Sequence, residues 1–89
     1  MAKRGKLELI KDILKIIQEH HNAIKITPLI RKSNLSTARF SEYFKELSSK
    51  GFIVERTNDS GKSISLTEKG SRYIEKYSNI IGFIEEFDL

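Results

Sequence analysis

The chain has 89 residues and no cysteine, enough for one domain and without disulfides, thiolate metal sites or cysteine nucleophiles. Hydrophobic residues make up 38% and charged residues 31%, a soluble globular balance, and no apolar run approaches the roughly 18 residues that span a bilayer. The net charge of +4 is unevenly spread: residues 1–72 carry +7 and residues 73–89 carry −3, so a basic body that suits a polyanion precedes an acidic tail.

The opening Met-Ala-Lys-Arg-Gly-Lys is a basic arm with no long apolar stretch behind it, which predicts no signal peptide and a cytoplasmic location. Residues 6–20 read as a helix. Leu9, Ile10, Ile13, Leu14, Ile16 and Ile17 form its apolar stripe, and Lys11, Asp12, Lys15 and Glu19 fall on the other side. His20-His21-Asn22 is a stop, and Ala23-Ile24-Lys25-Ile26 alternates as one brief strand. Thr27-Pro28 marks the next start, with threonine as cap and proline in the first helical position, where its missing N–H has no partner. That predicts a short helix over 28–32, broken by Ser33-Asn34-Leu35.

Ser36 caps a further helix over 37–50, whose inward set is Phe40, Tyr43, Phe44 and Leu47 at i, i+3, i+4 and i+7. Gly51 ends it where a left-handed residue is wanted. Residues 52–56 are β-rich, 57–61 form a turn cluster and 62–66 alternate, so a hairpin with a loop of about four or five residues is expected. Thr67 caps a last helix that runs to about residue 86. Helix, strand, helix, turn, helix, hairpin, helix is the order of a helix-turn-helix followed by a wing. The fold class is therefore α+β, mainly helical: a core over 1–66 with a basic N-terminal arm, and a C-terminal helix over 67–89.

Several segments bear a family likeness. Asn34-Leu35-Ser36, Phe40, Tyr43, Leu47, Lys50-Gly51-Phe52-Ile53 and Leu66-Thr67-Glu68-Lys69-Gly70, taken in order, resemble a family of small archaeal winged helix-turn-helix proteins. That family includes transcriptional regulators and chromatin-associated proteins that dimerise through a C-terminal coiled coil. The resemblance covers about residues 9–77 and implies binding of double-stranded DNA and a nucleoid-associated location.

If helix 37–50 enters the major groove, its outward side presents Ala38, Glu42, Lys45 and Ser49, flanked by Arg39 and Ser41. Thr37, Arg39 and Ser41, near its N-terminal end, are the candidates for base edges, with Arg39 suited to guanine; Ser36 and the helix N-terminus suit a phosphate. Glu42 is expected to pair with Lys45, three residues on. The wing offers Arg56, Asn58, Ser60 and Lys62 to the backbone or the minor groove. Arg31 and Lys32, with Lys3, Arg4 and Lys6 of the arm, are further phosphate candidates.

Tyr73, Tyr77, Ile80, Ile84 and Phe87 are spaced 4, 3, 4, 3, a heptad seam widened by Ile74 and Ile81. The first part is expected to pack on its own domain, and the distal part to bury against a second copy as a homodimer. Chemistry is not expected. His20 and His21 diverge by about 100° on a helix and do not readily share a metal, the scattered glycines cradle no phosphate, and no nucleophile has an evident base. The sequence thus predicts no enzyme, cofactor, metal or membrane contact. It leaves three binding readings open: a sequence-specific DNA regulator, a chromatin protein with little sequence preference, and a winged-helix module for protein contact.

Overall fold

The computed structural model describes residues 5–89, and four helices and one hairpin make up the described part. Helix α1 (Lys6–Glu19) buries Leu9, Ile10, Ile13, Leu14 and Ile17 along one side. Ile10, Ile13, Leu14 and Ile17 join Ile24, Leu29, Phe40, Leu47, Ile53, Ile64, Leu66 and Ile74 in a single core to which every element contributes.

After α1 the chain turns through His21 and Asn22, both in the left-handed region at φ 57° and 59°. Asn22 then ties two elements together. Its side-chain oxygen accepts from the Leu66 N–H at 2.6 Å, and its carbonyl accepts from the Ser65 hydroxyl at 2.7 Å. The expected strand over 23–26 is reduced to one bridge, in which Ile24 and Ile64 exchange backbone hydrogen bonds of 3.2 and 2.7 Å.

Helix α2 (Ile26–Ser33) begins two residues before Pro28, with Lys25 at the cap position and no side-chain cap bond. The Thr27 cap expected from the sequence is therefore corrected. Proline remains harmless as the third helical residue, because the first four N–H groups of a helix have no intrahelical partner anyway. Asn34, at φ 60°, closes α2 in the left-handed conformation, and the Ser33 hydroxyl donates to Ile30 O at 2.6 Å while accepting from Leu35 N–H. This turn delivers the chain to α3 (Thr37–Ser49), where Ser36 Oγ accepts from Arg39 N–H at 3.2 Å as the expected cap.

Gly51, at φ 78°, reverses the chain into the hairpin of β1 (Ile53–Asn58) and β2 (Gly61–Leu66). Pairing runs from Ile53↔Leu66 to Asn58↔Gly61, so the loop is only Asp59 and Ser60, shorter than the sequence suggested. The Asn58 side chain accepts from the Ser60 N–H at 2.9 Å, and Lys25 Nζ donates to Ser60 O at 2.6 Å from outside the hairpin. Local turn chemistry and one long-range lysine together shape the tip.

Helix α4 (Glu68–Glu86) starts on Thr67, whose hydroxyl oxygen accepts from Gly70 N–H at 3.2 Å and whose O–H reaches Gly51 O at 2.5 Å. Its first half is docked. Gly70 and Ile74 are buried, the Tyr73 ring meets Phe52 edge-on at 5.5 Å, and the Tyr73 hydroxyl donates to Leu7 O at 2.8 Å. From residue 78 onward every residue of α4 is exposed.

Candidate nucleic-acid interface

Helix α3 is held by its apolar side and leaves its polar side free. Phe40 and Leu47 are buried, Tyr43 and Phe44 are half-buried, and the Phe40 and Phe44 rings stack with centroids 5.7 Å apart. Ser36, Thr37, Arg39, Ser41, Glu42 and Lys45 are exposed. The Ser36 hydroxyl is already engaged as a cap, while the unpartnered N–H groups of the first turn remain directed outward, as at any helix start. Arg31 and Lys32 are exposed in the last turn of α2.

The charges on α3 are arranged differently from the expectation. No Glu42–Lys45 pair forms among the described residues. Glu46 is instead the centre: its Oε2 accepts from Lys50 Nζ at 2.8 Å and from Lys6 Nζ at 2.9 Å. These two ammonium groups hold the Glu46 carboxyl below its ordinary value, Lys50 contributing most. The Glu46–Lys50 spacing of i, i+4 with the acid first is a favoured helical pair and was legible in the sequence; the link to Lys6 spans 40 positions and was not. Beside this cluster runs a shallow groove lined by Lys6, Arg39, Glu42, Tyr43 and Glu46, so that the first residue of α1 lies next to α3. Lys3 and Arg4 lie outside the described residues.

In the hairpin, Arg56, Asn58, Ser60 and Lys62 are all exposed. Strand alternation separates them. Arg56 pairs with Ser63 and Asn58 with Gly61 on one face, while Lys62 pairs with Thr57 on the face that carries buried Ile64 and Leu66. Arg56 shares its face with a polar groove that also involves His21, Asn22 and Ser63 and has no carboxylate in its lining. Lys25, not singled out from the sequence, acts from below by holding the tip. His20 ends α1, its Nδ1 donating to Ile16 O at 3.1 Å, and among the described residues no group of three or more acids and histidines is placed to share a metal ion.

A short helix, a left-handed turn, a capped second helix with an exposed polar side and an immediate two-stranded hairpin are thus in place. The chain matches the family described as winged helix-turn-helix over residues 3–85. It belongs to that family. In winged-helix terms α2 and α3 are the helix-turn-helix and β1–β2 is the wing. Solved structures agree on the fold. Sso10a-2, a DNA-binding protein from Sulfolobus solfataricus, aligns with a TM-score of 0.73 at 24% identity, over 94% of this chain and 85% of its own. F93 from STIV, a winged-helix DNA-binding protein, aligns with a TM-score of 0.72 at 19% identity, over 89% of this chain and 91% of its own. SSV1 F-93 aligns with a TM-score of 0.70 at 26% identity, over 99% of this chain and 95% of its own. No curated protein sequence matches.

The seam residues of α4 divide. Tyr73 and Tyr77 are half-buried in their own chain, stacked at 6.4 Å, with Lys11 Nζ 5.5 Å above the Tyr77 ring. Burial and the neighbouring Tyr77 push the Tyr73 phenol above its usual value. Ile80, Ile81, Ile84 and Phe87 are exposed, as is Phe83, which the heptad reading passed over and which packs on Phe87 at 4.8 Å. No helix among the described residues is long and apolar enough to cross a membrane.

Proposed function

We propose that this winged-helix protein binds double-stranded DNA as a transcriptional regulator, reading the major groove with α3 and the backbone or minor groove with the wing. The observation that carries the reading is the exposed N-terminal end of α3, where Thr37, Arg39 and Ser41 follow a capped start and Lys45 lies on the outward side one turn further on, while Phe40 and Leu47 anchor the opposite side. The major groove admits a helix presented this way, and an arginine near its start has the geometry for guanine. Two of the similar structures are themselves named DNA-binding proteins.

A second copy completes the reading. Ile80, Ile81, Phe83, Ile84 and Phe87 lie within about 160° of the α4 circumference at the usual 100° per residue, and all are between 37% and 58% exposed. An apolar stripe of this kind buries against a partner helix. A homodimer through α4 doubles the phosphate contacts, which compensates for the acidic Glu42 and Glu46 on α3.

Those same two carboxylates favour one alternative, an architectural DNA protein with little base readout, because they thin the positive charge where base contacts would form. Selection of bound fragments from random duplex DNA separates the two. A recovered motif supports the regulator; retention of all sequences alike supports the architectural role. Absence of duplex binding even at low salt removes both and leaves protein contact as the role of the module.

A further inference from the structure

The groove beside α3 holds cations and carboxylates in equal number: Lys6 of α1 lines it with Arg39, Glu42, Glu46 and the half-buried Tyr43 of α3. Only one of the carboxylates is engaged. Glu46 binds Lys6 and Lys50 through the same oxygen, at 2.9 and 2.8 Å, and Glu42 has no ion partner among the described residues. The contact joins the first residue of α1 to the last third of α3.

We infer that Glu46 is a built-in competitor for DNA phosphate, holding Lys6 in the free protein and yielding it to the duplex backbone on binding. This rests on the DNA-binding reading above. A carboxylate with two ammonium partners at hydrogen-bond distance occupies the position that a phosphate oxygen would take against Lys6. The side chains are open to water, Lys6 at 57% and Glu46 at 27% exposure, so exchange needs no unfolding of the core. Lys50 bonds Glu46 along the same helix and keeps the carboxylate in place while Lys6 comes and goes. The consequence is a lowered affinity for duplex DNA of any sequence, because Lys6 must leave one anion to reach another.

A double-mutant cycle tests the latch. Dissociation constants for a mixed-sequence duplex are measured by fluorescence anisotropy at fixed low salt for the wild type, Glu46→Gln, Lys6→Gln and the double variant. Glu42→Gln is measured in both the wild-type and Lys6→Gln backgrounds. Glu46→Gln is expected to tighten binding about three- to tenfold, and the gain to shrink below about twofold once Lys6 is absent, because Lys6, and not Lys50, is the cation that the latch yields to the duplex. Glu42→Gln, which removes the same charge from the same helix, is expected to give a gain that does not depend on Lys6. If the Glu46→Gln gain persists undiminished without Lys6, Glu46 acts by general repulsion or by freeing Lys50, and the Lys6 latch is refuted. The latch is equally refuted if Glu46→Gln leaves affinity unchanged. A wild type and variants that all fail to bind duplex DNA overturn the DNA reading itself, and the inference with it.

Discussion

Arg39 and Lys62 are both exposed cations, but they sit on elements to which the proposed function gives different contacts with a duplex. Arg39 lies in the first turn of α3, which in the proposed complex would approach base edges; Lys62 lies in β2 next to the hairpin tip, which would meet phosphates. Arg39→Ala is therefore expected to relax preference at one base position, by about 1–3 kcal/mol of discrimination. Lys62→Ala is expected to weaken all sequences alike and to reduce the salt slope by about 0.9. Parallel selections and salt titrations on the two variants check this, and equal losses in both assays would contradict the assignment. Glu46 carries a residue-scale prediction in pH. Its carboxyl is held below 4.5 in the folded chain, chiefly by Lys50 and then Lys6, so the cluster contributes above that value and is lost as pH falls through the lowered one. Carboxyl-detected NMR should place its midpoint below 4.5, and Lys6→Gln should move it upward. Tyr73 has the opposite sign. Its raised phenol favours the neutral donor to Leu7 O, so that contribution is complete below pH 10.0 and fades as the phenol ionises above it.

At the scale of elements, α4 contains two glycines with opposite roles. A Cβ at Gly70 would collide with the carbonyl oxygen of Phe52, because α4 crosses that backbone closely where Thr67 N–H donates to Phe52 O at 3.1 Å. At Gly82 a Cβ meets nothing within 4 Å. Gly70→Ala is therefore expected to destabilise the fold by at least about 1–3 kcal/mol, the usual range for forcing extra volume into a packed site. Gly82→Ala is expected to stabilise the helix by up to about 1 kcal/mol. Urea denaturation of both variants reads the two signs directly. The caps belong to this scale too. Ser36 and Thr67 each satisfy a first-turn N–H, and Thr67 also binds Gly51 O. Replacing Thr67 by Ala should cost about 1–2 kcal/mol, more than the same change at Ser36.

For the whole molecule, the question is where the apolar end of α4 goes. The described residues extend 48 Å along the longest axis against 27 and 21 Å across, and the distal α4 with its cap Phe87 carries five exposed large apolar side chains between residues 80 and 87. Ile80→Glu combined with Ile84→Glu should leave a folded monomer that sediments at about half the wild-type mass. It should bind DNA with a salt slope near half as steep, since each copy supplies its own phosphate contacts. A wild type that is already monomeric at micromolar concentration would remove the dimer from the proposal.

Local pattern determined the elements. Helices α1, α3 and α4, the Ser36 and Thr67 caps, the left-handed Gly51 and the hairpin were all readable, because each depends on neighbours within a few positions of the chain. Two boundaries were not. The hairpin loop shortened because β-pairing persisted to Asn58↔Gly61 with Lys25 holding the tip. Likewise α2 began early because the preceding segment gave only Ile24 to the sheet. The candidate interface shows the same division. That Lys45 lies on the outward side of α3, with Arg39 and Ser41 flanking it, follows from helical period alone. That Arg56 and Lys62 part company, that Lys6 is drawn to Glu46, and that Tyr73 is spent on its own chain depended on register and on contacts across 40 and 66 positions. Such contacts are chosen by how the elements pack, since a charge or a phenol has many possible partners in sequence and only a few within reach in space.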